Sequence, residues 1–348
     1  MPNFKKILLI LFVIFTTSEL LGQKVKTLFQ SDSILKLTIK LNVKELITDL
    51  DVRDYHPAIL TNNLKDGSKT THEIKIKTRG NNRAKTETCS FPPLELNFKK
   101  KSTKNSVFKG QNKLKLVTHC KKSKIFEDYI YKEYMVYKLY QIISPLSFKV
   151  RLCEVTYIDE DKKGDTYTYS GFLIEKTKDV AKRNDLTVFK DSIRNQETLN
   201  KTNLDKLNFF QYMIGNLDWS IPYRHNIKIV IDKKGGLPYG IPYDFDHSGL
   251  VNAPYANPPP DFNISSVRTR VFRGFCRYNN GYDNTIDFYQ EKKPEFYALI
   301  NTSTFLTSKN QKYILKYLDS FYDTLDNPKA VKKKITTVCR VKHKHAYE

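Results

Sequence analysis

The strongest constraint on this chain's fold is a change of hydrophobic period partway along it. Between residues 34 and 176, apolar and polar side chains alternate in short runs: "ILKLTIKLNV" (34–43), "HEIKIKTRGNNR" (72–83), "PLELNF" (93–98), "NKLKLVTH" (112–119), "VRLCEVTYID" (150–159) and "TYTYSGFLIEK" (166–176). Period two puts one face of a strand in a core and the other in solvent. One segment departs from it. In "SKIFEDYIYKEYMVYKLYQIISP" (123–145), Phe126, Tyr129, Ile130, Val136, Leu139, Tyr140 and Ile143 recur at helical spacing, with Ser123 placed to cap the start and Pro145 beyond the end. Glu133 falls inside that apolar stripe and is read as a boundary residue whose carboxylate reaches solvent. After Glu175 the helical period takes over. Leu204, Leu207, Ile214 and Leu217 follow a candidate cap at Asn203, and Tyr313, Ile314, Tyr317, Leu318, Phe321 and Leu325 form a second stripe. Residues 252–284 read as loop, being rich in Pro, Asn and Gly. The expectation is an α+β chain: a β-rich part over 23–174, an α-rich part over 175–331 and a frayed basic tail over 332–348.

The first 22 residues stand apart. Lys5 and Lys6 precede an apolar run at 7–15, too short to span a bilayer, and "LLGQ" follows. This reads as a secretory signal cut near Gly22, which places the protein outside the cytoplasm, secreted or periplasmic. The whole chain is 40% hydrophobic and 13% aromatic, enough for a sizeable core and unlike a disordered chain. A net charge of +22 favours polyanionic partners such as nucleotides, acidic envelope glycans or acidic proteins. The positive charge is spread along the chain and no nucleic-acid module is visible, so nucleic acid is not expected. Five cysteines without CxxC spacing argue against a structural zinc site. In an oxidising compartment the first pairings to try are Cys89 with Cys120 and Cys276 with Cys339.

Chemistry concentrates in "GNLDWSIPYRHN" (215–226) and "PYDFDHSG" (242–249). Four polar groups, Asp218, Asn226, Asp244 and Asp246, sit among Trp219, Ile221, Tyr223, Tyr243 and Phe245, a setting for partly buried acids that need a partner such as a metal. Phosphoryl transfer requires a carboxylate to orient and deprotonate the acceptor hydroxyl. It also needs oxygen ligands for the Mg²⁺ or Mn²⁺ that bridges nucleotide phosphates. Asp218, Asn226 and Asp244 supply those parts in order. "NIKIVI" after the loop and "LPYGIPYDF" after the turn "KKGG" read as a hairpin that carries Asn226 at its start and Asp244 at its end. A hydrolase built on several His ligands fits less well, because the seven histidines form no metal-type pair in the acidic region.

These motifs, together with "KTRGNNR" (77–83) and "YSGFLIEK" (169–176), resemble the spore-coat-H-like (CotH) family of atypical secreted kinases. They are more distantly similar to the Golgi secretory-pathway kinases. The match runs in patches over residues 73–249. The resemblance implies a two-lobed atypical protein-kinase-like fold with a β-rich N-lobe and an α-rich C-lobe. It implies ATP with Mg²⁺ or Mn²⁺ as cofactors and a protein Ser or Thr hydroxyl as acceptor. Asp218 would be the catalytic Asp, Asn226 and Asp244 metal ligands, Asp246 an aid to a second metal or a brace for the loop, and Arg79 a phosphate contact. The nucleotide lysine is left open between Lys77 and Lys115. The chain departs from the pattern in the eight-residue step from Asp218 to Asn226 and in Glu95, which stands where basic residues are usual. A non-catalytic envelope protein that binds an acidic glycan or protein, a pseudokinase, and a metal-dependent phosphodiesterase are the alternatives.

Overall fold

The computed structural model describes residues 27–340 except 49, 51, 65, 162–164, 194 and 278–280. The expected signal at 1–22 and the end of the basic tail, with its His343 and His345, lie outside the described residues. Seven strands come first: β1 (Leu35–Leu41), β2 (His56–Asn63), β3 (Lys69–Thr78), β4 (Leu94–Phe98), β5 (Lys113–Val117), β6 (Val150–Asp159) and β7 (Thr166–Ile174). They close into a barrel in the order β1-β2-β3-β4-β5-β7-β6, antiparallel except where β6 returns parallel to β1. Closure leaves no free edge. Inside it, Leu37, Ile39, Leu60, Ile76, Leu96, Leu114 and Val155 form a dry core, as period two requires. β2 was not singled out from sequence. Its inward positions are Ala58, Leu60 and Asn62, while Ile59 faces out, so its apolar signal is weak.

Helices α1 (Val43–Thr48) and α2 (Lys124–Ile143) interrupt the barrel strands; α3 (Thr177–Arg183), α4 (Lys201–Ile214), α5 (Asp283–Asn301), α6 (Ser308–Leu325) and α7 (Pro328–Val331) follow them. A small antiparallel sheet, β8 (Leu186–Val188), β9 (Ile227–Asp232) and β10 (Tyr239–Pro242), lies among the helices with β9 in the centre. α2 joins the two regions. Its Tyr134 and Tyr137 pack edge-on against Phe172 of β7, Tyr137 also meets Phe245, and Tyr140 meets Phe210 of α4. One hydrophobic cluster therefore runs from β6 and β7 through α2 into α4, α5 and α6.

Several local expectations are corrected. Glu133 does not reach solvent; it is 1% exposed. Ser123 precedes α2, but its side chain caps nothing. α4 is capped by Asn200, whose side chain accepts from the Asn203 N–H, while Asn203 turns inward and exchanges hydrogen bonds with Gly240 of β10. α5 went unread because Pro294, normally a breaker, sits inside it. Residues 332–340 are not frayed: Ile335 is buried and Cys339 is bonded to Cys276. Both expected disulfides, Cys89–Cys120 and Cys276–Cys339, are present, and Cys153 is free and buried. Among the described residues no helix is long and apolar enough to cross a membrane. Two disulfides are what an oxidising, extracytoplasmic compartment permits.

Candidate active site

Asp218 stands in a turn fixed by its neighbours. α4 ends at Gly215, which adopts a left-handed conformation (φ 63°) and returns its N–H to the helix; a Cβ there would lie 2.1 Å from the Tyr317 hydroxyl. Asn216 then accepts the Asp218 N–H on its side-chain oxygen at 3.0 Å, and its carbonyl accepts the Trp219 indole N–H at 3.1 Å. Arg273 stacks on Trp219 and donates to the carbonyls of Leu217 and Trp219. Ser220 and His225 exchange backbone hydrogen bonds, so the loop between them closes on itself, with Tyr223 exposed at its tip.

The carboxylate of Asp218 receives two side-chain contacts. His225 Nε2 lies 2.7 Å from Oδ1, and Asn226 Nδ2 donates to Oδ2 at 2.9 Å and to the Asp218 carbonyl at 2.8 Å. Asn226 precedes β9 and Asp244 follows β10. The two strands pair, and the Tyr243 N–H bonds the Asn226 carbonyl at 3.0 Å, so the hairpin brings both residues to one end. Arg224, Asn226 and Asp244 all have positive φ, between 50° and 63°. Non-glycine residues pay about 1 kcal/mol or more for this, and such strain gathers at functional sites. Phe245 anchors the segment: it is fully buried between Tyr137 and Phe210, while the Tyr137 hydroxyl accepts the Asp244 N–H at 2.8 Å.

Asp218, Arg224, His225, Asn226, Tyr243 and Asp244 line a cleft of about 360 Å³ together with Arg79, Asn82, Arg83, Asp246 and His247. Behind it, carboxylate oxygens of Glu133, Asp244 and Asp246 lie within 4.8 Å of one another. Arg83 is buried among them, 3.6 Å from Glu133 and 3.4 Å from Asp246. Burial pushes the Glu133 carboxyl well above the ordinary range; Arg83 opposes that shift and Asp246 adds to it. Asp246 is likewise raised by burial against the pull of Arg83. Burial also disfavours the charge on Asp244, but Arg79, Arg83 and Lys115 outweigh it and hold this carboxyl below its usual value. The three acids are thus unequal: the surrounding cations hold Asp244 toward its ionised form, while burial pushes Glu133 toward the protonated one.

The structure brings Asp218, Asn226, Asp244, Asp246 and Arg79 to this one cleft. Lys115 lines an adjoining recess of about 210 Å³ with Phe148, Ile174 and Tyr243, and Tyr243 borders both spaces. Lys77 is not brought in: it lies over the Tyr55 ring and lines neither space. Arg83 and Glu133 were not assigned roles from sequence. The signal was present, since a carboxylate on an apolar helix face must find a partner inside the fold. That the partner is Arg83, fifty positions away, is a tertiary fact.

No protein-family model and no curated protein matches the chain. Among solved structures, the crystal structure of a Helicobacter pylori proinflammatory kinase, CtkA, aligns over 81% of this chain and 97% of that one, at 9% identity and a TM-score of 0.33. A likeness of that size supports no argument about activity.

Proposed function

We propose that this protein is an atypical kinase that transfers the γ-phosphoryl group of ATP to a hydroxyl on a protein, with Mg²⁺ or Mn²⁺, outside the cytoplasm. The observation that carries the reading is the meeting of Asp218, Asn226 and Asp244 in one cleft, on a loop and the two ends of a hairpin. Kinase catalytic segments place their base, amide ligand and metal-binding Asp in the same order. In this reading the barrel-rich part over 23–174 and the helical part over 175–331 act as two lobes. Their junction follows β7 at Glu175, which Arg183 of α3 and the Lys149 N–H hold in place.

Donor chemistry supports a hard divalent cation. Asn226, Asp244 and Asp246 are oxygen donors, and Glu133 Oε1 is buried without a hydrogen-bond partner beside them. Asn226 and Asp244 would hold the ion, with Asp246 and Glu133 within reach of it; the bound ion neutralises phosphate charge. Asp218 orients the acceptor hydroxyl and takes its proton, and His225 and Asn226 hold its carboxylate in place. Arg79 offers a planar fork of donors to the phosphates.

One observation favours a second reading, a pseudokinase. Arg83 already supplies a positive charge to two of the three buried carboxylates, as a metal would. Phosphate transfer from labelled ATP separates the two. Asp218→Asn should bind ATP and metal nearly normally and transfer phosphate about 10²–10⁴-fold more slowly. Asp244→Asn should lose metal-coupled nucleotide binding as well. ATP binding with no transfer by the wild type would sink the kinase reading and leave the pseudokinase. Export is checked separately: mass spectrometry of extracytoplasmic protein should find an N-terminus near Gln23.

A further inference from the structure

A second groove, of about 510 Å³, lies beside the cleft at the start of α2. Ile125, Phe126 and Tyr129 of that helix line it, with Pro254 and Tyr255. Ile125 is 57% exposed, and Phe126, Tyr129 and Tyr255 are half-buried, so the groove presents apolar surface to water. Glu87, Thr88 and Lys121 belong to the lining as well. The neighbouring Cys89–Cys120 disulfide ties their two segments together, and the Lys121 ammonium donates to the Glu87 carbonyl at 3.3 Å. Three residues join the groove to the cleft. Asn82 lines both; its Nδ2 lies 3.3 Å from His247 Nε2, and its Oδ1 accepts from the Thr88 hydroxyl at 3.5 Å. Asn257 lines the groove and also a small hollow bordered by Asp218 and His247. The Tyr255 ring lies 5.7 Å from that of His247, and its hydroxyl bonds Asp246.

We infer that this groove seats a segment of the acceptor protein by a large apolar side chain, aromatic or branched, a few residues from the hydroxyl that receives phosphate. The inference rests on the kinase reading and deepens it by naming what the acceptor must carry. Position sets the occupant: a chain that leaves the groove past Asn82 or Asn257 reaches the space that Asp218 lines. Charge sets its chemistry. One cation, Lys121, and one anion, Glu87, line the groove, whereas Arg79 and Arg83 line the cleft. Phosphate therefore belongs in the cleft and an uncharged side chain in the groove. The side-chain amides of Asn82 and Asn257 offer donors and acceptors of the kind an extended backbone uses, and the apolar wall takes the side chain. Phe126 and Tyr129 read from sequence as part of the core stripe of α2; the fold leaves both half-buried at the groove.

The probe is a set of synthetic Gly/Ala/Gln peptides, each with one central Ser and one Phe moved stepwise along the chain, and a parent peptide without Phe. Binding is read by fluorescence anisotropy of labelled peptide, and transfer by labelled ATP with Mg²⁺. The proteins are the wild type, Ile125→Glu, which puts a charge on the apolar wall, and Ile125→Leu, which keeps it apolar. Burying one large apolar side chain should make the best Phe position bind about ten- to a hundredfold more tightly than the parent peptide. Ile125→Glu should abolish that preference, Ile125→Leu should keep it within a few-fold, and transfer to the parent peptide should be the same in all three. Unfolding midpoints matched to wild type exclude a folding defect. A wild type that favours no Phe position overturns the inference, as does a preference that survives in Ile125→Glu. Equal slowing of the parent and Phe peptides in Ile125→Glu also overturns it, because the wall would then control the catalytic centre and not select the acceptor. Ile125-dependent peptide binding by a protein that transfers no phosphate would keep the groove as a polypeptide seat and remove only the kinase reading.

Discussion

Replacing Arg83 tests the electrostatic design of the cleft most directly. The guanidinium is buried, as are its two partners, at 3.6 Å from Glu133 and 3.4 Å from Asp246. At an effective dielectric of about 20, the contact with an ionised Asp246 is worth about 5 kcal/mol of Coulomb attraction before desolvation is charged against it, and the Glu133 contact adds to it only as that carboxyl ionises. Removing one member of such a buried set leaves uncompensated acids and typically costs about 3–5 kcal/mol. Arg83→Met keeps much of the stem volume and removes only the charge. Its deficit should depend on pH, because both carboxyls are already raised by burial and rise further without Arg83. A group whose folded pKa is raised contributes stability below its unfolded value and loses it as pH climbs through the folded value. The variant should therefore unfold about 3–5 kcal/mol more easily than wild type at pH 7.5 and recover at least half of that at pH 5. Trp219, the chain's only tryptophan and buried beside the cleft, reports unfolding in urea by fluorescence. A deficit of the same size at both pH values, or none at 7.5, would refute the argument that Arg83 neutralises these acids.

Three further outcomes follow from the same physics. Glu133→Gln mimics the protonated carboxyl, so it should match wild-type stability near pH 6 and exceed it at pH 9, where the native acid is forced to ionise; identical pH profiles would count against the raised pKa. His119, buried between Phe91 and Tyr169, is held neutral by burial, with its pKa pushed down to about 3. A depressed folded pKa contributes stability above the unfolded value near 6.5 and loses it as pH falls toward 3. His119→Phe should therefore flatten the acid limb of a stability–pH curve by up to about 5 kcal/mol. Opening the Cys276–Cys339 bridge, which spans 63 residues, by a double Cys→Ser change should cost about 4 kcal/mol in the chain-entropy account and should release residues 332–340 to protease, whereas uncut protein would show that Ile335 holds the segment alone.

Much of this chain was legible from local pattern. Period two marked six of the barrel strands, because one face of each points into a dry interior and alternation is the direct record of that. α2, α4 and α6 showed their apolar stripes, and Asp218, Asn226 and Asp244 were found from their order and from the hairpin between the last two. The sequence could not show that the strands close into a barrel, since each records only which of its faces is buried and not which neighbour it meets. It also could not show the partners of buried charge. Glu133 reads as a boundary residue along its helix, and only packing α2 between barrel and helices puts it within reach of Arg83 and Asp246. Lys77 and Lys115 look alike as lysines on alternating strands, yet the barrel turns one toward Tyr55 and the other toward Tyr243. Periodicity is a property of neighbours along the chain, whereas neutralising a buried charge depends on distances between segments far apart in sequence, and those distances exist only once the chain has folded.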